Sequence, residues 1–251
     1  MAEIQSDSII AEIKELVESK RLLDLKPTDE QCRDCIKLAE QMVSESKGTI
    51  KHCEFHGPHV GSEYGALRPR LVLVGLENPE QKWNAVTCRE QALEQPPTRS
   101  WSRHCWGELA LIKRLFPSVK FPFAHIATLN RRLHGLRGGK GGRDSKSRGL
   151  PACPYAAEIL RLLRPEVIVM EERRGWRPAG KGWGTWIHHA EISAKLGKRH
   201  QSAAVMTTDL DGSKAALVLA NHPSRSGRNY RETILLPAIE EAICLVAGRE
   251  C

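Results

Sequence analysis

The chain has 251 residues and a mass of 28.1 kDa, enough to bury one sizeable core, so a single α/β domain with an N-terminal extension is expected. Lys and Arg outnumber Asp and Glu by 38 to 30, a net charge of +8 with a pI near 9.2, which favours an anionic partner, nucleic acid first among them. No signal peptide is legible and no apolar run is long enough to span a bilayer, so no membrane partner is expected; in a cytoplasmic location the eight cysteines would stay reduced, and clustered ones are better read as metal ligands than as disulfides.

Ile9, Ile10, Ile13, Leu16 and Val17 recur at helical spacing among Glu12, Lys14, Glu15 and Glu18, an amphipathic helix. Pro27-Thr28-Asp29-Glu30 supplies a stop and a new cap, and a second helix is predicted through Cys35, Leu38, Ala39, Met42 and Val43, with Cys32-x-x-Cys35 in its first turn. A turn-rich knuckle, Cys53-Glu-Phe-His56-Gly57-Pro58, follows. Residues 1–66 are thus expected to form an N-terminal extension carrying metal-binding cysteines, and residues 67–251 the α/β domain proper.

Leu71 to Val74 is a continuous apolar run rich in valine, which reads as a strand buried on both faces of a mostly parallel sheet. It ends in Gly75-Leu-Glu77-Asn78-Pro79-Glu80, at the place where open α/β sheets bind ligands. The segment from Glu80 to Arg103, with Trp83 and Trp101, is predicted as a loop closing over that rim. Leu109, Ile112, Leu115 and Phe116 return to helical spacing, and Phe123 to Thr128 reads as the second strand.

The stretch Leu129-Asn130-Arg131-Arg132-Leu133-His134, continuing through Arg137, Lys140, Arg143, Lys146 and Arg148, is rich in glycine and cations. A helix from Pro154 to Leu163 and a strand from Val167 to Met170 come next. A Gly/Trp-rich segment with Trp176, Trp183 and Trp186 leads to a helix expected around Ile187 to Leu196. Val205 to Thr208 reads as a short strand, Asp209-Leu-Asp211-Gly212 as a hairpin turn, and Ala215 to Ala220 as a strand ending in Asn221-His222-Pro223-Ser224-Arg225. The last helix, Glu232 to Val246, carries Pro237 as a kink or boundary. The alternation of strands and helices predicts a three-layer α/β/α fold around a central, mostly parallel, four-stranded sheet.

Taken together these places resemble the uracil-DNA glycosylase superfamily over roughly residues 30 to 245, most closely its iron–sulfur branch and the uracil-crosslinking subgroup. Gly75-Leu-Glu77-Asn78-Pro79 is similar to the first motif, whose acidic or amide residue positions the attacking water; one residue is extra, so Glu77 and Asn78 compete for that role. His222-Pro223-Ser224-Arg225 resembles the second motif, whose histidine hydrogen-bonds the leaving base and whose following loop wedges into the duplex. Trp101 stands where the family stacks an aromatic ring on the extruded base, and Asn130 where an amide reads its pairing edge. Cys153-Pro154 and the strand after Arg164-Pro165 are similar to the last cluster cysteine and the third strand.

The resemblance implies a DNA glycosylase, acting as a monomer, that hydrolyses the N-glycosidic bond of uracil or of a bulkier modified pyrimidine, including the sugar-decorated bases that divergent relatives remove from phage DNA in defence. The chemistry is intelligible on its own terms. A base to be cut from a duplex must be extruded, stacked and read by its edge. As the bond lengthens the sugar becomes cationic and the base anionic, so an anion such as Glu77 and a donor such as His222 meet charge that develops only in the transition state. Arg131, Arg132 and Lys140 would neutralise flanking phosphates.

For the metal, local spacing gives a Cys₃His zinc site from Cys32, Cys35, Cys53 and His56. The resemblance adds Cys153 to Cys32 and Cys35 and places His134 where the family has a cysteine; Cys53 equally completes a four-cysteine [4Fe-4S] site with Cys32, Cys35 and Cys153, and an iron–sulfur cluster is the favoured reading. Arg131-Arg132-Leu133-His134 is also similar to the loop whose histidine, in the crosslinking subgroup, bonds to the sugar, and one histidine cannot fill both roles. Cys88, Cys105, Cys244 and Cys251 are expected to have no special role.

Plainer readings stand beside these. Glu77 and Asn78 are also good helix or turn caps, His222 is an ordinary loop residue, Trp83 and Trp101 are ordinary packing residues, and the cationic stretch is what a solvated loop would carry. The competing function is a catalytically inert module that binds damaged or single-stranded nucleic acid.

Overall fold

The computed structural model describes residues 6–22, 52–55, 57–75, 103–130, 133–137, 154–171, 185–221 and 227–249. In chain order the first elements are α1 (Ser6–Ser19), β1 (His52–Phe55), β2 (His59–Val60), β3 (Leu71–Gly75) and α2 (Arg103–Leu115). Then come β4 (Ala127–Asn130), β5 (His134–Arg137), α3 (Pro154–Leu163), β6 (Val167–Met170), β7 (Ile187–Leu196), β8 (Arg199–Leu210) and β9 (Ser213–Leu219). The chain closes with α4 (Gly227–Tyr230), a π-helical turn (Arg231–Leu235) and α5 (Leu236–Ala247).

The fold is α/β, but the sheet is larger than the expected four strands. Seven strands are joined in the order β2-β4-β3-β6-β9-β8-β7. β4, β3, β6 and β9 run parallel at its centre, while β2, β8 and β7 pair antiparallel at the flanks. The central runs Leu71–Val74 and Val167–Met170 are buried on both faces, which is why they show no polar alternation. One face carries Val72, Val74, Ile168, Met170 and Leu217 against α1 and α3; the other carries Leu71, Leu73, Val167, Val169 and Val218 against α2 and α5. α1 and β2, expected in the N-terminal extension, therefore share the core and the sheet of the main body.

Three expectations are corrected. Ile187–Leu196 is a strand, β7, and not a helix: Ala190, Ile192, Ala194 and Leu196 alternate with Glu191, Ser193 and Lys195, the period-two pattern of a half-buried strand. Val205–Thr208 is the middle of the twelve-residue β8, whose pairing with both β7 and β9 builds the added width of the sheet. Pro122–His125 is a 3₁₀ turn, with proline at its start, and β4 begins only at Ala127.

The Asp211-Gly212 turn behaves as its sequence dictates. Both residues have positive φ, 51° and 81°, as a two-residue hairpin joining Leu210 to Ser213 requires. Pro237 stands in the first turn of α5 and marks the change from the π turn to the α-helix; lacking an N–H and crowding the carbonyl four residues back, it favours a break in register there. Cys244, expected to be reduced, is disulfide-bonded; it lies in the last turns of α5, where its carbonyl accepts from Gly248 and Arg249 as the chain reverses.

The amino ends of the central strands are tied by a polar cluster. Arg70, buried just before β3, donates from Nε to the Arg164 carbonyl at 2.6 Å, and its backbone N–H donates to Glu166 Oε2 at 2.8 Å. Arg68 pairs with the same carboxylate. Tyr64 donates its hydroxyl to the Leu163 carbonyl at 2.9 Å, and burial, aided by the nearby Glu166 charge, pushes its ionisation well above the ordinary tyrosine range. Among the described residues no helix is long and apolar enough to cross a membrane.

Candidate functional site at the carboxyl rim of the sheet

Because β4, β3, β6 and β9 are parallel, their carboxyl ends reach one rim. Asn130 is the last residue of β4 and stands level with Gly75, the last of β3. Glu171 follows β6, and its N–H donates to the Val74 carbonyl at 2.9 Å. Ala220 follows β9, and its N–H donates to the Met170 carbonyl at 3.0 Å. The row Asn130, Gly75, Glu171, Ala220 thus crosses the four strands at their tips. The segments after Gly75 and after Asn221 leave from strands two positions apart, about 10 Å at the usual interstrand spacing.

Asn130 is half-buried, and its side chain is held over β3. A Cβ built on Gly75 would stand 2.9 Å from Asn130 Oδ1, closer than real Cβ contacts allow. A side chain at position 75 would have to displace the Asn130 amide, with no unusual φ involved. Glu171 is 3% exposed, an acid buried at the tip of a central strand.

The exit of β9 is pinned from behind. The Asn221 N–H donates to the hydroxyl of Tyr230 at 2.8 Å, and that hydroxyl donates in turn to the Ser202 carbonyl at 3.4 Å. Tyr230 is fully buried. A helical residue below the sheet therefore fixes the backbone at the point where His222 follows.

Of the candidate catalytic, base-binding, DNA-binding and metal residues, Asn130 is the one whose side chain is among the described residues. Glu77, Asn78, Trp101, Arg131, Arg132, Lys140, His222, Ser224 and Arg225 lie outside the described residues, as do Cys32, Cys35, His56 and Cys153. So do the predicted second helix, the rim segment predicted from Glu80 to Arg103, except for Arg103 itself, which begins α2, and the glycine-rich cationic stretch beyond Arg137. Trp186 is half-buried and packs against the core on the α1 and α3 side, a structural aromatic.

For Cys53 and His134 the backbone alone is described, and it is informative. β1 and β5 form a separate antiparallel ladder in which Phe55 pairs with His134 and Cys53 with Leu136. The Cys53 knuckle thus runs alongside the segment that leaves the rim at Asn130, and Cys153 immediately precedes α3. Among the described residues no group of three or more His, Cys, Asp or Glu is gathered as a metal site.

Sequence reasoning passed over Glu171 and Tyr230. Glu171 had a usable signal: it is the first polar residue after the apolar run Val167–Met170, just as Glu77 follows the run ending at Val74. Tyr230 had none, because its partner is a backbone N–H brought to it by the sheet. Comparison of the sequence with protein-family models and with curated proteins found no match.

Proposed function

We propose that this protein is a DNA glycosylase that extrudes a damaged or modified pyrimidine from DNA and hydrolyses its N-glycosidic bond. The observation that supports the reading is the row of strand tips: the segments carrying Glu77-Asn78 and His222-Pro223-Ser224 depart from the same rim, with Glu171 between their points of departure and Asn130 beside them. In this reading Trp101 stacks on the base and Asn130 reads its edge. Glu77 or Asn78 holds the water that adds to C1′. As that bond forms, the C1′–N bond breaks with its electron pair passing to the base, and His222 donates a hydrogen bond to the negative charge that builds there. The proton given up by the water neutralises the base on departure, leaving an abasic sugar. Arg131, Arg132, Lys140, Ser224 and Arg225 hold the phosphates and the opened duplex, so binding weakens steeply with salt.

The cysteines fit a structural metal in the N-terminal part, either a [4Fe-4S] cluster on Cys32, Cys35, Cys53 and Cys153 or zinc on Cys32, Cys35, Cys53 and His56. The ladder that sets Cys53 beside the segment following Asn130 supports a centre that braces this side of the rim. Iron, zinc and labile-sulfide analysis separates the two.

The test is a panel of duplexes containing uracil, other deaminated bases and glucosylated 5-hydroxymethylcytosine, scored for abasic sites. The wild-type protein is expected to release at least one, and His222→Ala and Glu77→Ala to lose release while keeping the fold. Binding without release from any of them would favour the inert nucleic-acid-binding module.

A further inference from the structure

The row of strand tips has one acid in it, and its position is specific. Successive residues of β6 alternate between the two cores: Val167 and Val169 face α2 and α5, Ile168 and Met170 face α1 and α3. The same alternation assigns Leu73 and Val218 to the first face, Val74 and Leu219 to the second, and Ala220 to the first again. Continued by one residue, this periodicity puts Gly75, Glu171 and Ala220 on the face toward α2 and α5. The acid is therefore flanked by a residue with no side chain and one with a single methyl. On the far side of Gly75 is the Asn130 amide, whose Oδ1 lies 2.9 Å from where a Cβ on Gly75 would stand. An amide and a buried carboxyl thus stand on either side of Gly75, at the end where open α/β sheets bind ligands.

We propose that Glu171 is a specificity-determining residue that, with Asn130, reads the pairing edge of the extruded base and selects a pyrimidine bearing a 4-amino group over its 4-oxo counterpart. The inference rests on the glycosylase reading and names its substrate class. A carboxylate oxygen accepts hydrogen bonds, whereas an amide both donates and accepts. Asn130 can turn its amide to match N3 of either base type, donating to the bare nitrogen of a cytosine or accepting from the N–H of a uracil. Glu171 has no such freedom at the neighbouring position. It accepts from a 4-amino group, the pairing by which acidic side chains read cytosine, and it opposes a 4-oxo group lone pair to lone pair. Discrimination therefore falls on the acid.

The experiment uses full-length protein and duplex pairs that differ only at position 4 of the base: cytosine and uracil, 5-hydroxymethylcytosine and 5-hydroxymethyluracil, and the glucosylated forms of the latter two. Single-turnover release is expected to be about 10- to 100-fold faster for the amino member of whichever pair is cut, the range one good base-edge contact provides. Glu171→Gln, whose amide donates to an oxo group, is expected to erase or invert that ratio. Glu171→Asp keeps the acceptor but withdraws it, and is expected to lower the rate while keeping the preference. Equal release of both members by the wild-type protein, or an unchanged ratio in a folded Glu171→Gln, would overturn the role given to Glu171 and leave the glycosylase reading intact. If Glu171→Gln does not fold, the wild-type ratio and the Asp variant decide. Failure of the wild-type protein to release any base of the three pairs or of the wider panel would overturn the glycosylase reading and this role with it.

Discussion

Asn130 Oδ1 occupies the space beside Gly75 so closely that a Cβ there would sit 2.9 Å away. Gly75→Ala must therefore displace the amide, the movable partner in that contact, and leave the buried runs of β3 and β4 in place. Base release is expected to fall about 10- to 100-fold, as for a misplaced contact in a reacting pocket. Stability should change by less than about 1 kcal/mol in urea unfolding. A variant as active as the wild type would show that the amide does not need this position.

Tyr230→Phe removes the acceptor of the Asn221 N–H. Leaving a part-buried donor unsatisfied costs about 1–3 kcal/mol. It also frees the backbone one residue ahead of His222. Both stability and the rate of base release are expected to drop, the rate with little change in DNA affinity. Unfolding curves and single-turnover kinetics read the two effects separately.

At the opposite rim, Arg70→Met strips Glu166 and the Arg164 carbonyl of a buried donor. The expected loss is about 1–3 kcal/mol, mainly from the Arg164 carbonyl left without its donor, since Glu166 keeps Arg68 and the backbone N–H of residue 70. Adding Glu166→Gln should recover part of it, a coupling that a double-mutant cycle measures. Base release by the folded fraction is expected to be unchanged, because this cluster ties the amino ends of the strands.

Tyr64 gives a pH prediction. Its ionisation is raised by burial first and by Glu166 second, so the folded state holds the phenolic proton more tightly than the unfolded chain does. That contribution is complete below the ordinary tyrosine value near 10 and is lost as pH rises above it. Tyr64→Phe lacks the hydrogen bond to Leu163 and should be about 1 kcal/mol less stable near neutrality. The gap is expected to close, then reverse, as urea unfolding is followed from pH 8 to pH 11.

Particular elements show what could be read in advance. Leu71–Val74 and Val167–Met170 announce themselves as strands because a run buried on both faces needs no polar residue. The Asp211-Gly212 turn is local chemistry and forms as written. Ile187–Leu196 was open to misreading because the pair His188-His189 and the small residues blur its alternation; the ladder shifts register between His188 and Ala190. The β1–β5 ladder joins residues some eighty positions apart and left no local trace.

The order of residues along the chain determined which runs must be buried, where each run ends, and which polar groups stand at those ends: an amide closing β4, an acid and an amide beyond β3, a histidine beyond β9. Tertiary structure alone decided which ends are neighbours. It inserted β6 between β3 and β9, laid Asn130 over Gly75, and brought Glu171 into the same row. The reason is physical. Burial and turn preference are properties of a residue and its near neighbours, whereas strand order and register are fixed by pairings between distant segments, in which a shift of one residue would send every side chain to the other face.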